Sequence, residues 1–444
     1  MIHEYSCEID KEKAEFLNMM FPGVIVFKNA MHLHRGIAEA HGGTGDRHIV
    51  PPVNFLAAGF PCTDASTLNV HASSAANKNC IADKSKSTGT VFDGIVDHLA
   101  TQADLLFALL ENVTNLASPE KGKTFSNLDS VARRLQQVAG IMVRVWKLDP
   151  RMFGTPQSRR RLWISCVPER ILEKYNMDVA RFQSETSQIM NSLVGWPVTP
   201  LDDLLLPAGH TFLTKAHSQA LAVNEDLALS EVLVATRGIV TPSMLKRVAK
   251  VTKAKKKASS ARTLQHKDKM KWHRSHERAF QRVGLNWAAS LHISPDSIML
   301  WPGLAQLYAR EVEILQYHGI NEFPEETLRT IQVSQSLGRC PPMLGVCPAI
   351  IPRGRVYVST KCRLLHPVEA LRVHSLEFPS DRLAQVKDAA LQDLAGNAFE
   401  AGCCLASIVS TLACLASASC ACGAIAAESA GSDSDSGDSL FRAG

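Results

Sequence analysis

One cysteine of this 444-residue chain stands where a nucleophile could be presented. Cys62 lies in the stretch Gly59–Ser66 (GFPCTDAS), directly after the apolar run Asn54–Ala58. Such a run predicts a buried parallel strand, and α/β proteins bind their ligands at strand ends. A thiol becomes a nucleophile when a nearby cation or helix N-terminus lowers its pKa from about 8.5. The sequence thus predicts a nucleophilic Cys62, against the alternative of a buried structural thiol.

Two further polar motifs follow or precede predicted strands. The apolar run 104–110 ends on Glu111-Asn112-Val113, and the segment 153–161 carries Arg159 and Arg161 just before a third run, 162–167. A cysteine, a carboxylate and an arginine pair are therefore placed at strand edges. These residue types can serve as a nucleophile, as a proton donor or acceptor and as cationic groups.

Five motifs in this order resemble those of the DNA (cytosine-5)-methyltransferase family. They are Pro61-Cys62, Glu111-Asn112-Val113, Gln157-x-Arg159-x-Arg161, Arg363–Arg372 (RLLHPVEALR) and Gly396-Asn397-Ala398-Phe399. One tripeptide alone would be a weak match, whereas five in order are specific. The resemblance implies an α/β fold with the Rossmann-like sheet of S-adenosylmethionine-dependent methyltransferases, lacking its first strand, and a smaller target-recognition domain.

The resemblance also implies a reaction on cytosine. Cys62 would add to carbon 6 of the base, Glu111 would contact N3 and the exocyclic amine, and Arg161, with Arg159, would hold O2. Carbon 5 would then take the methyl group of S-adenosylmethionine. Because a stacked base is out of reach, it would first be flipped out of the helix. The polar segment Thr67–Thr88 is predicted to be a mobile loop that closes over the DNA.

The cofactor side of the resemblance is incomplete. Residues implied to contact S-adenosylmethionine are Glu8, Ile9, Asn29, Pro61, Val91, Asn397 and Phe399. The family's opening strand and Phe-x-Gly-x-Gly turn are missing, since Met1 is followed at once by its second motif. Three explanations remain open: an incomplete gene model, a split or circularly arranged enzyme, and a degenerate chain that no longer methylates. The main alternative to a DNA methyltransferase is therefore a catalytically inactive DNA-binding relative.

Nucleic acid is the partner that the charge distribution favours. Residues 246–282 contain 14 Lys and Arg against two acids, within a chain of net charge +5. Such a one-sided run neutralises phosphates or serves as a nuclear address. The DNA contacts expected here and by resemblance are Ser66, Gln157, Lys246, Arg247, Lys250, Lys253, Lys255, Lys256 and Lys257. Double-stranded DNA is the expected partner. RNA is the alternative, because one branch of the family methylates transfer RNA.

The pattern of elements predicts four regions. Strands are expected at 24–27, 54–59, 104–110, 141–148 and 161–167, alternating with helices as in βαβ units. Residues 1–170 are assigned to the catalytic large domain and 171–335 to the target-recognition region. Residues 336–415 are expected to return to the large domain, and 416–444 to form an Ala/Ser/Cys-rich and acidic disordered tail.

Composition limits the remaining classes. The 12 cysteines are scattered without zinc-site spacing, and no secretory signal opens the chain. We therefore expect no metal site and a reducing compartment: nuclear if eukaryotic, otherwise cytoplasmic, and not secreted. The uncharged stretch Ala401–Ala427 is rich in Ala, Ser, Cys and Gly, so its first half is predicted to pack on the sheet rather than to enter a membrane. A monomer is expected.

Overall fold

The computed structural model describes residues 2–43, 45–69, 71–222, 274–285, 293, 295–320 and 323–431. The chain forms two compact units. Unit 1 comprises residues 1–198, 374–382 and 398–444, and unit 2 comprises residues 199–373 and 383–397. These boundaries differ from the predicted ones, because residues 336–373, expected in the large domain, belong to unit 2.

The described strands of unit 1 are β1 (Tyr5–Cys7), β2 (Ile25–Phe27), β3 (Ile37–Glu39), β4 (Arg47–Ile49), β5 (Phe55–Gly59), β6 (Phe107–Val113), β7 (Ile141–Leu148), β8 (Gln157–Ser158) and β9 (Arg161–Pro168). Five of them correspond to predicted apolar runs, namely β2, β5, β6, β7 and β9, and β6 begins three residues later than predicted. Its α-helices are α1 (Lys11–Met20), α2 (Ala75–Lys78), α3 (Lys86–Ala100), α4 (Asn127–Ala139), α5 (Glu169–Lys174) and α6 (Val179–Leu193). Short 3₁₀ turns cover Ala30–Arg35, Thr114–Ala117 and Pro150–Met152.

The main sheet of unit 1 has the order β5-β6-β9-β7. β5 runs parallel to β6, whereas β9 is antiparallel to both β6 and β7. Alternate residues of β6 point to opposite faces, as the strand period requires. Leu110 packs with a cluster that includes residues of α3 and α4, and Leu109 packs with one that includes residues of α6. The sheet is therefore covered on both faces, the layering of a doubly wound α/β fold.

β1 and β2 stand apart from this sheet as a separate parallel pair. Within the described ranges, β1 pairs only with β2 and β5 only with β6, so each strand keeps one edge free of β-ladder bonds. The described strands therefore form the predicted α/β arrangement, with β1 and β2 paired apart from the main sheet. Tyr5 connects β1 to α3, because its hydroxyl lies 2.6 Å from Nε2 of the buried His98.

Unit 2 is built around an antiparallel sheet of order β11-β10-β13-β14. Its strands are β10 (Arg329–Gln332), β11 (Met343–Leu344), β12 (Cys347–Pro348), β13 (Val356–Val358) and β14 (Arg363–Leu364). Its α-helices are α7 (Leu201–Leu204), α8 (residues 211–222), α9 (residues 274–282), α10 (Pro295–Leu300), α11 (Ala309–Tyr317), α12 (Pro367–Val373) and α14 (Asp388–Asn397). α13 (Ser380–Leu383) lies at a boundary between the units, and 3₁₀ turns cover Pro302–Gln306, Leu337–Arg339 and Ser359–Lys361.

The segment Arg363–Arg372, one of the five motifs that resemble those of the family, has a structural role in unit 2. The carboxylate of Glu369 is fully buried and accepts hydrogen bonds from the Arg363 guanidinium at 2.7 and 2.8 Å. It also accepts backbone hydrogen bonds from His366 at 2.7 Å and Leu206 at 2.6 Å. This bidentate pair satisfies both buried charges and fixes the start of α12.

The last helix, α15 (Ala401–Gly431), corrects the predicted tail boundary. The helix continues well past residue 416, and residues 432–444 lie outside the described ranges. As predicted, its first half packs in unit 1: Cys414 is buried beside Phe182, and the Thr411 hydroxyl lies 2.7 Å from that of Ser165. By length and composition alone, Asp388–Ser419 is long and apolar enough to cross a membrane, and 44% of its most apolar 18-residue stretch is buried.

Candidate active site

The loop of residues 60–66, which carries the predicted nucleophile Cys62 and is called the nucleophile loop below, follows β5 as the sequence predicts. The backbone carbonyl of Cys62 accepts hydrogen bonds from the N–H groups of Ala65 at 3.1 Å and Ser66 at 2.8 Å, so the chain turns immediately after the thiol. Phe60 is buried against Phe92 of α3, with ring centroids 5.1 Å apart. Packing on one side of the thiol and a closed turn on the other hold Cys62 in place.

Asn112 fixes the same loop from the neighbouring strand. Its buried side chain donates from Nδ2 to the carbonyl of Phe60 at 3.1 Å, and its Oδ1 accepts from the N–H of Val113 at 2.9 Å. Asn115 donates in the same way to the carbonyl of Ala65 at 2.7 Å. Sequence reasoning assigned neither amide a role. The signal was an asparagine inside an otherwise apolar strand, where an unpaired amide would cost about 1–3 kcal/mol.

Asp64 ties the nucleophile loop to α3. Its Oδ2 accepts from the backbone N–H of Thr88 at 2.9 Å and from the Thr88 hydroxyl at 2.8 Å. Thr88 is completely buried in the first turn of α3. The carboxylate thus satisfies two donors near a helix N-terminus, where negative charge is favourable.

The segment predicted as a mobile loop, Thr67–Thr88, is packed against unit 1. The Nζ of the buried Lys78 donates to the carbonyl of Ser118 at 2.9 Å, and burial lowers the pKa of this ammonium. Asn127 of α4 donates to the carbonyl of Asn77 at 2.8 Å. The polar residues here pair with backbone groups, so this segment is a structural part of the site in the conformation described.

Glu111 and Arg161 meet across two adjacent strands. Glu111 of β6 lies in register with Gly59 on one side and with Trp163 on the other. The Nε of Arg161, at the start of β9, lies 3.0 Å from Oε1 of Glu111, and the two side chains are 17% and 13% exposed. The predicted carboxylate and one predicted arginine therefore form a mostly buried ion pair.

Arg159 is the more deeply buried arginine of the motif. Its Nη2 donates to the carbonyl of Ala398 at 3.2 Å. Burial, followed by repulsion from Arg161, lowers the pKa of Arg159 to about 10, while Glu111, Cys62 and Glu400 oppose the shift. At neutral pH the guanidinium remains charged, so two cations and the thiol share one electrostatic environment.

Glu400 is a further charged group that sequence reasoning missed. Its buried Oε1 accepts from the Thr155 hydroxyl at 2.9 Å and from the N–H of Gly402 at 3.0 Å, and Oε2 accepts from the N–H of Cys403 at 2.7 Å. The carboxylate caps α15 and partly compensates the charge of Arg159. Its position just after the closing Gly-Asn element was the available signal.

The pKa of the Cys62 thiol differs from the expectation that neighbouring cations would lower it. Burial raises this pKa, and the carboxylate of Glu111 adds to the increase. Arg161 and, more weakly, Arg159 lower it without cancelling the effect of burial. The two arginines therefore moderate a thiol that its buried surroundings keep protonated.

Phe399 lies against the backbone of the nucleophile loop. A Cβ placed on Gly59 would approach its Cε1 to 2.9 Å, and its ring centroid lies 5.3 Å from that of Trp163, edge to face. Only glycine leaves room for this contact. The structure thus brings Phe399 beside β5, whereas Asn397 belongs to unit 2 and donates to the carbonyl of Asp393 at 2.8 Å.

The residues predicted for the adenosine part of the cofactor lie at one edge of the β1–β2 pair. Glu8 and Asn29 follow the ends of these parallel strands, and the side chain of Ile9 is 78% exposed. Oε1 of Glu8 accepts from the N–H of Asp10, which leaves its other oxygen available for a hydroxyl. Oδ1 of Asn29 accepts from the N–H of Met31. A half-buried carboxylate beside an exposed apolar side chain fits a ribose and an adenine ring. Val91 is half-buried on α3.

The predicted DNA contacts are only partly visible. Ser66 is half-buried, and its Oγ accepts from the N–H of Leu68 at 3.3 Å. Gln157 is completely buried, and its amide atoms have no hydrogen-bond partner among the described residues. Its predicted contact with DNA stays a prediction. Lys246, Arg247, Lys250, Lys253, Lys255, Lys256 and Lys257 lie outside the described residues.

Comparison with known proteins gives matches to a methylase family and to individual methyltransferases. A family model described as C-5 cytosine-specific DNA methylase matches residues 2–403. Among curated proteins, the type II methyltransferase M.NlaX of Neisseria lactamica is 36% identical over 115 residues, which cover 26% of this chain and 32% of that enzyme. M1.ScrFI of Lactococcus lactis is 30% identical over 140 residues, covering 31% and 32%.

A fungal relative and two solved structures complete the comparison. The DNA (cytosine-5-)-methyltransferase DMT5 of Cryptococcus neoformans is 27% identical over 167 residues, covering 37% of this chain and 6% of that enzyme. The matched segments thus span a third or less of each curated relative. The structure of Dnmt2 from S. pombe covers 93% of this chain and 89% of its own at 11% identity and a TM-score of 0.37. That of EhMeth from Entamoeba histolytica covers 93% and 88% at 11% identity and a TM-score of 0.39.

Proposed function

Because the chain belongs to the C-5 cytosine-specific DNA methylase family, we propose that it methylates carbon 5 of cytosine in DNA through a covalent bond to Cys62. S-adenosylmethionine is the methyl donor of this family. One observation supports the assignment most directly: the mostly buried Glu111–Arg161 pair and the buried Arg159 act electrostatically on Cys62. A thiol, a carboxylate and two guanidinium groups are what addition to cytosine requires.

In the proposed reaction the sulfur of Cys62 forms a bond to carbon 6 of the base. The electron pair of the 5,6 double bond then moves to carbon 5, which becomes nucleophilic. Carbon 5 would take the methyl group from the donor, which would leave as S-adenosylhomocysteine. The proton of carbon 5 would then pass to water, and the electrons of its C–H bond would restore the 5,6 double bond. The bond between sulfur and carbon 6 would break with its electrons returning to sulfur, so that the thiolate is regenerated.

The charged side chains have separate tasks in this scheme. Glu111 donates or shares a proton at N3 and accepts a hydrogen bond from the exocyclic amine, which stabilises the charge that develops on the ring. Arg161 orients Glu111 through their 3.0 Å contact and, with Arg159, favours the thiolate of Cys62. A base stacked within a duplex cannot reach a partly buried thiol, so the target cytosine is flipped out before attack.

The donor would be held by residues of unit 1 that fit its adenosine part. Bound S-adenosylmethionine supplies an electrophilic methyl group on a positively charged sulfur. Glu8 would accept hydrogen bonds from the ribose hydroxyls, and Ile9 and Val91 would contact the adenine ring. Asn29 would accept from the adenine amine with its second oxygen lone pair. Phe399 and Pro61 would lie on the side of the nucleophile loop.

The test is a covalent trap on DNA that contains 5-fluorocytosine. Fluorine cannot leave carbon 5 as a cation, so the bond between protein and DNA persists after methyl transfer. We expect a complex that resists denaturing electrophoresis with the intact chain and S-adenosylmethionine, and none with Cys62→Ser. Glu111→Gln is expected to slow trapping by about 10²–10⁴-fold. Cys7→Ser, which changes a half-buried thiol of β1, is the matched control and should trap normally.

Two results would contradict the proposal. Trapping by Cys62→Ser at the rate of the intact chain would exclude this cysteine as the nucleophile. Trapping on a hairpin RNA with 5-fluorocytosine, but not on DNA, would mean that the substrate is RNA and not DNA. Absence of trapping on both, together with no heat of binding for S-adenosylmethionine in calorimetry, would instead indicate a DNA-binding relative without transferase activity.

A further inference from the structure

A cavity of about 560 Å³ in unit 2, the unit that does not contain Cys62, has three arginines in its lining. They are Arg274, Arg278 and Arg282, which recur at every fourth position of α9 and are all exposed. A spacing of four residues separates successive side chains by about 6 Å along one helix face. Hydroxyl groups of Ser275, Tyr317 and Ser336 also line the cavity.

The opposite face of α9 anchors this arginine row. His276 and Phe280 are buried, at 2% and 3% exposure. The Nδ1 of His276 lies 2.7 Å from Oε2 of Glu313, and the Phe280 ring centroid lies 5.3 Å from that of Tyr317. Both partners belong to α11. The row is therefore held by buried contacts on a second helix.

Among the described residues no acid is in ion-pair contact with the row, including Glu277, which lies between Arg274 and Arg278 on α9. The two buried acids of α11 already have cationic partners: Glu313 has His276, and Glu311 lies 2.7 Å from Nε of Arg355. Across the described residues, none of the three arginines forms an ion pair or a hydrogen bond with another side chain. Three fixed positive charges thus face a cavity whose remaining lining is neutral.

We propose that this arginine pocket binds consecutive phosphate groups of a nucleic-acid strand. Guanidinium groups match phosphate oxygens in bidentate geometry, and the cavity is of the size that holds a nucleotide. A polymer is favoured over a small phosphate because the sequence before α9 carries 11 further Lys and Arg between residues 246 and 271 against one acid. This inference rests on the proposed function for its ligand class, and it adds the place where the backbone is held.

The test is the salt dependence of binding by the full chain. Fluorescence anisotropy would be measured on a duplex DNA and on a hairpin RNA of equal length, from about 50 to 200 mM salt. For duplex DNA, each lost phosphate contact lowers the slope of log K against log salt by about 0.9. We expect the triple variant Arg274→Gln, Arg278→Gln, Arg282→Gln to lose roughly two to three units of slope and to bind about tenfold or more weakly at the lower salt.

A matched control removes three exposed cations elsewhere: Lys121→Gln, Lys215→Gln and Arg353→Gln. It changes the net charge equally and should keep the slope of the intact chain to within about one unit. Equal slopes and affinities for the two triple variants would overturn the proposal. A loss of slope and affinity on the DNA alone, or on the RNA alone, would support the proposal and identify which nucleic acid supplies the phosphates. Trapping by Cys62 is read out separately, so failure of the methylation proposal would leave this result interpretable.

Discussion

The ion pair between Glu111 and Arg161 predicts an unequal response to removal of its two partners. With 3.0 Å between Nε and Oε1 and an effective dielectric constant of about 20, the gross attraction is about 5–6 kcal/mol. Desolvation of two mostly buried charges offsets much of it, and breaking such a pair from one side costs about 3–5 kcal/mol. The residual exposure of 13% and 17% places both variants near or below the lower end of that range.

Glu111→Gln should be the more damaging change. It leaves Arg161 and Arg159 facing one another, and their repulsion already lowers the pKa of Arg159. We expect a loss of about 3 kcal/mol in the free energy of unfolding. Arg161→Met leaves Glu111 near the remaining cation Arg159, and we expect a loss of about 2 kcal/mol. The double variant should lose less than the sum, with a coupling of about 1–2 kcal/mol.

Two measurements check this reasoning. Urea unfolding followed by tryptophan fluorescence gives the free energies, since Trp163 lies in register with Glu111. The rate of Cys62 alkylation by iodoacetamide at fixed pH gives the electrostatic effect on the thiol. This rate should fall in Arg161→Met, which removes the cation that lowers the pKa of Cys62, and rise in Glu111→Gln, which removes an anion that raises it. The alkylation rate of the fully buried Cys166 is the internal reference for the rate measured at Cys62.

The explanation would be refuted by additive losses, within about 0.5 kcal/mol, in the double variant. It would equally fail if Arg161→Met were the less stable single variant, or if both substitutions moved the alkylation rate in the same direction. Any of these three outcomes would mean that Glu111 and Arg161 lie close together without a strong electrostatic interaction.

Three further predictions concern the surroundings of the site. Burial lowers the pKa of His98 to about 4, whereas an unfolded histidine titrates near 6.5. Unfolding therefore takes up a proton below pH 6.5, and about 3 kcal/mol of stability should be lost as the pH falls from about 6.5 to 4. His98→Gln should flatten that dependence in urea titrations, and an unchanged slope would exclude the assignment. Gly59→Ala should cost about 1–3 kcal/mol by overpacking against Phe399, and Phe399→Leu should restore part of it in thermal unfolding. If Phe399→Leu gives no rescue, the clash is not the cause. Asn112→Ala should cost about 1–3 kcal/mol, because the Phe60 carbonyl loses its buried donor, and a loss below about 0.5 kcal/mol would contradict that role.

Strand positions were largely predictable because burial on both faces produces continuous apolar runs. The predicted 141–148 coincides with Ile141–Leu148, and 161–167 differs by one residue from Arg161–Pro168. The run 104–110 was placed three residues too early, since the strand is Phe107–Val113. Its last part carries Glu111 and Asn112, whose polarity hid the strand from a pattern based on hydrophobicity. The residues that matter most to the proposed chemistry thus caused the error.

Features that depend on long-range contacts were not predictable from local pattern. The thiol of Cys62 was expected to have a lowered pKa. The neighbouring arginines can be read from the sequence, whereas the burial of the thiol, which raises its pKa, cannot. The segment Thr67–Thr88 was expected to be mobile because its composition is polar, yet Lys78 and Asn77 pair with carbonyl and amide groups about 40 to 50 residues further along. The return of the chain to unit 1 occurs at residues 374 and 398, and no change in composition marks either point.

The carboxylate of Glu400 has a consequence for how the protein can be divided. It joins Thr155 to the first turn of α15 across more than 200 residues of chain, and Arg159 donates to the carbonyl of Ala398 two residues earlier. A recombinant fragment that stopped at residue 198 would retain Cys62, Glu111 and both arginines. It would nevertheless lose the buried anion near Arg159 and α15, which packs with α6 on one face of the sheet. The proposed cytosine side of the site is therefore assembled from segments far apart in the chain, and expression boundaries chosen from the predicted catalytic motifs alone would cut through it.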